Sequence, residues 1–167
     1  TALLLAAGMG SRLAPLTDSR AKCLVGVSGI TILERLLRTL SSHGFTRLVV
    51  VLGHQSESIQ DYLGNGSGGI EISYVTSSCY RTTNNIYSLW LARTLIDEPF
   101  LLVESALVFT ASLLRKMLTP DRIAVSCQLP WMNGTTVTFG SDSGVSAFCQ
   151  ADKSCRSANH YKTVNIY

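Results

Sequence analysis

At 167 residues the chain is long enough for one domain with a sizeable core, and its 46% apolar and 15% charged residues describe a globular protein with few surface charges. A net charge of +3 without a basic run argues against a nucleic-acid partner, and no stretch approaches the ~20 apolar residues that a membrane helix needs. Five scattered cysteines (Cys23, Cys79, Cys127, Cys149, Cys155), with no CxxC pair or zinc spacing, read as reduced thiols in a cytoplasm.

The apolar run Ala2 to Ala7 predicts a buried strand; it has no charged n-region before it and reads as a strand rather than a leader. It breaks into Gly8-Met9-Gly10-Ser11-Arg12-Leu13, then Pro15-Leu16-Thr17-Asp18 and Arg20-Ala21-Lys22-Cys23-Leu24. Glycines that admit an anion close to backbone N–H groups, with two cations to neutralise it, make a natural phosphate cradle. Leu33, Leu36, Leu37 and Leu40 fall at helical spacing from Thr31 onward, and Gly44 stands where a C-terminal cap is expected. Arg47 to Leu52 is a continuous apolar run, as in a parallel strand covered on both faces. A short helix over 56–63 leads into the glycine-rich tract 64–69, expected to be flexible, and 70–75 alternates as a strand.

A second helix is expected from Asn84-Asn85-Ile86-Tyr87-Ser88-Leu89-Trp90-Leu91, capped by Thr83 or Asn84, with Tyr87 and Trp90 in the core. Phe100 to Val103 is a buried strand running into Glu104-Ser105-Ala106, and a helix over 111–117 follows. Past Pro120 the character changes to strands at 123–128, 135–139 and 145–148, the last two joined by the turn Ser141-Asp142-Ser143-Gly144. Thr163 to Tyr167 reads as a further strand. Both ends look cut, since the chain starts inside its first strand and stops within a strand pattern. The alternation over the first two thirds predicts a mostly parallel sheet with helices on both faces and a small antiparallel extension. The loops at Gly8, at 76–85 and at Glu104 all lie at carboxyl strand ends, where such sheets bind ligands.

The dinucleotide fingerprint GxGxxG fails at Leu13 and lacks the acid expected about twenty residues on, and the Walker pattern GxxxxGK[ST] has no match. The longer pattern LAAGxGxRLxPLT, followed by Lys22-Cys23-Leu24, resembles the nucleoside-triphosphate transferases that join a nucleoside monophosphate to a sugar phosphate or small phospho-alcohol. The stretches Thr83 to Leu91, Glu104-Ser105, Pro130-Trp131-Met132-Asn133-Gly134-Thr135 and Tyr161 to Tyr167 look like the cytidylyltransferases acting on phosphocholine or 2-aminoethylphosphonate, sometimes fused to an aminotransferase. The resemblance covers essentially all of the chain, with the family's C-terminal portion missing. It implies a Rossmann-like (GT-A-type) three-layer α/β/α fold over 1–167, CTP and a small phosphorylated or phosphonate acceptor as partners, and Mg²⁺ as cofactor.

Carried over residue by residue, the resemblance makes Arg12 the holder of the β,γ-phosphates and Lys22 the bridge between the α-phosphate and the incoming oxyanion. Leu5, Ala6, Ala7, Gly8, Met9, Gly10, Ser11 and Arg12 would surround the nucleotide, chiefly through backbone N–H groups, and Asn84, Asn85 and Ser88 would lie along the cytidine or its walls. Trp131 would line the acceptor pocket, where an aromatic face can hold a choline or amine cation, with Asn133 beside it. The plainer readings are that Arg12 and Lys22 are surface cations, that Asn84 and Asn85 only cap a helix, and that Trp131 is a half-buried aromatic. His43, His54 and His160 have no acidic or cysteine partner nearby in sequence.

The chain departs from the family pattern in three places. Where relatives carry an acid, one residue and an Asp, it has Glu104-Ser105-Ala106, so the expected metal-binding Asp is replaced by Ala106. Glu104 shares the strand face of that position one pleat further back, and a second family carboxylate belongs beyond Tyr167. Ala21 stands where proline normally precedes the lysine, and Asn133 where an aspartate would select an ammonium group. The expectation is therefore a cytidylyltransferase domain impaired at its metal. The alternatives are a sugar-phosphate nucleotidyltransferase using another nucleoside triphosphate and a non-catalytic nucleotide-binding module.

Overall fold

The computed structural model describes residues 1–132, 134–149 and 160–167. They form two compact units, Thr1–Pro120 and Asp121–Tyr167, divided where the sequence changes character at Pro120. In chain order the first unit contains β1 (Ala2–Ala6), β2 (Gly26–Val27), β3 (Ile30–Thr31), α1 (Ile32–Ser42), β4 (Arg47–Leu52), α2 (Ser56–Leu63), β5 (Gly66–Ser67), β6 (Ile70–Thr76), α3 (Asn85–Ala92), β7 (Leu101–Glu104) and α4 (Ala111–Lys116).

Five of these strands make one sheet in the order β5-β6-β4-β1-β7. β1 pairs in parallel with β4 and β7, and β4 with β6, while β5 runs antiparallel on the edge. All five residues of β1, and Leu48 to Leu52 of β4, are buried, which is why both strands read as unbroken apolar runs. The right-handed rule for parallel crossovers puts α1 and α2 on one face and α3 on the other. Consistent with that, Leu3, Leu5, Val49 and Val51 form one cluster with Ala92 and Leu89 of α3. The crossovers step outward from β1 to β4 and β6, then return past β1 to β7. The carboxyl ends of β1 and β7 therefore flank the topological switch point of a Rossmann-like sheet.

Local chemistry sets the helix ends. The Thr31 hydroxyl accepts the Glu34 N–H at 3.0 Å, and Glu34 in turn takes the Arg38 guanidinium and the Tyr62 hydroxyl, both at 2.8 Å, tying α2 to α1. Gly44 closes α1 at φ +79° and donates to the Ser41 carbonyl, as the sequence predicts.

Two expectations are corrected in this unit, and one element is new. The ribbon of β2 and β3 is not foreseen. The glycine tract is not a loose loop: Gly66 and Ser67 pair with β6, the Tyr74 hydroxyl bonds the Gly64 carbonyl, and the Ser41 hydroxyl donates to the Gly68 carbonyl at 2.8 Å. Tyr87 and Trp90 are not core. α3 buries only Ser88 and Ala92, small residues that let it settle close to the sheet, and Trp90 is 50% exposed. Its ring stacks on Tyr87 with centroids 5.7 Å apart and lies 3.5 Å from the Arg93 guanidinium carbon, which shields it from water.

The second unit is a four-stranded antiparallel sheet in the order β10-β9-β11-β8, built from β8 (Val125–Cys127), β9 (Thr136–Phe139), β10 (Val145–Cys149) and β11 (Tyr161–Thr163). The turn between β9 and β10 is held by Asp142, whose carboxylate accepts the Gly144 N–H at 3.0 Å. The last strand ends at Thr163 rather than continuing to Tyr167, because Asn165 takes φ +60°, which breaks an extended backbone.

Candidate active site

The loop that leaves β1 is folded back on itself around Gly10. Gly10 sits at φ +69°, its carbonyl accepts the buried Thr17 hydroxyl at 3.0 Å, and an added Cβ would meet Lys22 Cβ and Thr17 Cγ2 at 3.1 Å. Glycine is required here by both conformation and space, and the close packing seats Lys22 against the loop. Gly8 differs: a Cβ there meets nothing within 4 Å, so the chain's own packing does not explain it. Among the described residues the first backbone N–H after the strand to donate to a carbonyl is that of Leu13, to Gly10 at 2.8 Å. The N–H groups of residues 8–12 are left available to an anion. Leu5, Ala6 and Ala7 are buried and could meet a ligand only through backbone, whereas Met9, Ser11 and Arg12 are exposed.

Lys22, Glu104 and Asn85 come together from three segments distant in sequence. Leu5 and Glu104 are register partners across β1 and β7, and the Ser105 N–H donates to the Leu5 carbonyl at 3.3 Å. That places the acid beside the start of the loop. Burial pushes the Lys22 ammonium below its ordinary pKa; the Glu104 carboxylate pulls it back up and the Arg12 guanidinium adds to the lowering. Burial pushes the neighbouring Cys23 thiol up to about 12, so it is inert as a nucleophile near neutral pH. The Asn84 side-chain oxygen caps α3, accepting the N–H of Ile86 at 3.1 Å and of Tyr87 at 3.4 Å. Asn85 does not cap: its amide donates to Glu104 Oε1 at 2.6 Å. Ser88 is 5% exposed, one turn from Ala92 on the sheet-facing side of α3.

A residue the sequence reading missed fixes the neighbouring wall. Gly53, just past β4, lies so close to β1 that an added Cβ would stand 2.6 Å from the Ala7 carbonyl oxygen and 2.8 Å from Tyr80 Cβ. The adjacent His54 N–H donates to that carbonyl at 3.0 Å. A glycine directly after a buried strand was the signal available.

The donor set for a metal is thin. Glu104 is the carboxylate at this strand end, its Oε1 already holds an amide, Ala106 offers no ligand atom, and no cluster of three or more His, Cys, Asp or Glu side chains occurs among the described residues. These residues do not by themselves fit a divalent cation, which wants near-octahedral oxygen ligation. In the second unit, Trp131 is 75% exposed and Asn133 lies outside the described residues. There Lys162 Nζ donates to the Thr135 and Thr163 carbonyls at 3.0 Å, clamping the strand after that loop.

Comparison with known proteins decides the family. The family model described as "Nucleotidyl transferase" matches residues 1–126. The chain belongs to the nucleotidyl transferase family. Among its relatives, CMP-5'-(3-aminopropyl)phosphonate synthase of Streptomyces rubellomurinus is 33% identical over 172 residues, covering 99% of this chain and 27% of that protein. Choline-phosphate cytidylyltransferase of Streptococcus pneumoniae is 31% identical over 101 residues, 60% of this chain and 42% of that one. The chain thus spans about a quarter of the first relative's length. A solved Bacillus anthracis structure assigned as a glucose-1-phosphate thymidylyltransferase superposes with a TM-score of 0.82 at 15% identity, over 99% of this chain and 69% of that one, which bears on fold alone. Within the nucleotidyl transferase fold, the free N–H groups of residues 8–12, Lys22 and Arg12 make an arrangement chemically suited to an oligophosphate.

Proposed function

We propose that this chain carries the nucleotide-binding core of a cytidylyltransferase that moves CMP from CTP to a small phospho-alcohol or phosphonate, phosphocholine or 2-aminoethylphosphonate in type. The observation that carries this is the run of N–H groups over residues 8–12, without a carbonyl partner among the described residues, beside Lys22 at the switch point of the sheet. The choice of CTP is supported by the names of the aminopropylphosphonate and choline-phosphate relatives.

In the reaction an acceptor phosphate or phosphonate oxygen attacks the α-phosphorus, a new P–O bond forms, and the α–β bridging bond breaks as its electrons leave on pyrophosphate. No proton transfer is required of the protein, so its work is positioning and charge neutralisation. The backbone from Ala7 to Ser11 cradles the nucleotide, Arg12 meets the β,γ-phosphates, and Lys22 sits where charge builds between α-phosphate and attacking oxygen. Asn84 reaches the nucleotide only indirectly, by fixing the start of α3, and Ser88 lines the wall beneath it. In the second unit Trp131 carries an exposed aromatic face of the kind that can hold an ammonium group.

Nucleotidyl transferases of this family typically use a divalent metal. Since Ala106 leaves this chain without the second strand-end carboxylate, neutralisation falls on its own cations and N–H groups, and turnover is expected to be low. Pyrophosphate release from CTP with Mg²⁺ and either acceptor tests both points. Ala106→Asp is expected to raise turnover roughly tenfold or more, because metal-borne charge stabilisation is worth several kcal/mol. Unchanged turnover in that variant overturns the reading of position 106. No pyrophosphate from either acceptor, in either chain, overturns the activity.

A further inference from the structure

Asn84 and Asn85 divide two tasks. Asn84 fixes the start of α3 as its cap, and the loop ahead of it is closely tied: the Cys79 carbonyl accepts the N–H groups of Thr82 and Thr83, both at 3.1 Å, and their hydroxyls at 3.3 and 2.7 Å. Tyr80 anchors the same loop in the space that Gly53 leaves free of a Cβ. The first residue of α3 is thereby held in one place, and from there the Asn85 amide reaches across to Glu104 Oε1 at 2.6 Å. A hydrogen bond to an ionised acceptor at that distance is of the strong, charge-assisted kind. It commits one of the two amide N–H groups to the acid and so fixes which way the Asn85 side chain faces.

We propose that Asn85 is a positioning residue: its amide holds the Glu104 carboxylate as the fixed counter-charge of Lys22, and Asn85 does not contact the nucleotide. A carboxylate on a rotatable stem beside a half-buried ammonium is free to swing onto it and occupy its donors. With Oε1 held by Asn85, the acid contributes its field to Lys22 while leaving ammonium protons for an incoming anion. The loop from Ser77 to Asn85 becomes a support for the cationic side of the site rather than a wall for the base. The role given to Lys22 rests on the cytidylyltransferase reading; the bond between Asn85 and Glu104 does not.

The side-chain amide resonances of Asn85, assigned in the ¹⁵N-labelled chain, test the proposal without requiring turnover. Glu104→Ala is expected to move them to the position of a solvated amide, with Glu104→Gln as the check should alanine disturb the fold. Saturating CTP is expected to shift the backbone amides of residues 8–12 and leave the Asn85 signals in place. In binding and kinetics, Asn85→Ala should lower kcat with less than a twofold change in CTP affinity, and its effect should not add to that of Glu104→Ala. The proposal is overturned if CTP drives the Asn85 signals to their position in Glu104→Ala. A tenfold loss of CTP affinity in Asn85→Ala, or an Asn85 signal indifferent to both Glu104 variants, overturns it too. If CTP leaves residues 8–12 unmoved, the cytidylyltransferase reading fails, while the Glu104 variants still decide whether Asn85 holds the acid.

Discussion

Lys22→Met is expected to lower pyrophosphate release from CTP by a factor on the order of 10²–10³ while the melting temperature stays constant or rises slightly. The rate loss follows from the role proposed for Lys22, a desolvated charge at the point where charge develops, a kind of contact for which mutational losses of that size are usual. The stability result follows from the sign of the lysine's own shift. Burial lowers the Lys22 pKa in the folded chain relative to the unfolded one, so keeping it charged costs folding free energy below the folded pKa. That cost is full below the folded value and is lost as pH rises on through the unfolded one, and methionine, whose stem fills similar space beside Gly10, removes it at pH 7. The same shift predicts that wild-type CTP affinity weakens on the alkaline side sooner than an ordinary lysine would allow, and that Lys22→Met lacks this limb. Steady-state assays and affinity measured across pH 7–11 check both. A variant that keeps its rate but melts early would make Lys22 a packing residue.

Gly53→Ala is expected to be the most damaging single-methyl change in the first unit. The new Cβ would stand 2.6 Å from the Ala7 carbonyl oxygen and 2.9 Å from Ala7 Cβ on one side, and 2.8 Å from Tyr80 Cβ on the other. None of these is the far end of a flexible chain, so either the exit of β1 or the loop bearing Tyr80 must move. Overpacking of this kind costs about 1–3 kcal/mol, and contacts this short point to the upper end, a Tm lower by roughly 5–10 °C. Because the displaced exit of β1 leads directly into Gly8, CTP affinity should fall as well. Thermal unfolding with and without CTP checks both effects. Gly8→Ala is the informative contrast, since its Cβ meets nothing in the protein: it should fold normally and lose nucleotide.

The parts of this structure that depend on local chemistry could be read from the chain. Continuous apolar runs gave β1 and β4, Thr31 and Asn84 mark true helix starts, and the spacing from Gly8 to Lys22 is one local stretch whose glycine, arginine and lysine serve one loop. What escaped depends on neighbours remote in sequence. Gly53 matters only because Ala7 and Tyr80 close on it, and Asn85 finds Glu104 only through the β1–β7 pairing that brings the strand end alongside the first loop. Trp90 looked like core because apolar aromatics usually are. It lies outward because Ser88 and Ala92, unremarkable in the sequence, make the tighter face against the sheet.

The central claim, a cradle built for CTP, is tested most directly by thermal shift of this chain with CTP, UTP, GTP and ATP in parallel. A ligand at about 100 times its Kd stabilises by about 2.7 kcal/mol, a rise of roughly 5–10 °C for a chain of this size. Such a rise is expected with CTP, with at least tenfold weaker binding of the other three and loss of the CTP effect in Lys22→Met. Equal shifts with all four triphosphates, a larger one with UTP, GTP or ATP, or no shift with CTP would contradict it.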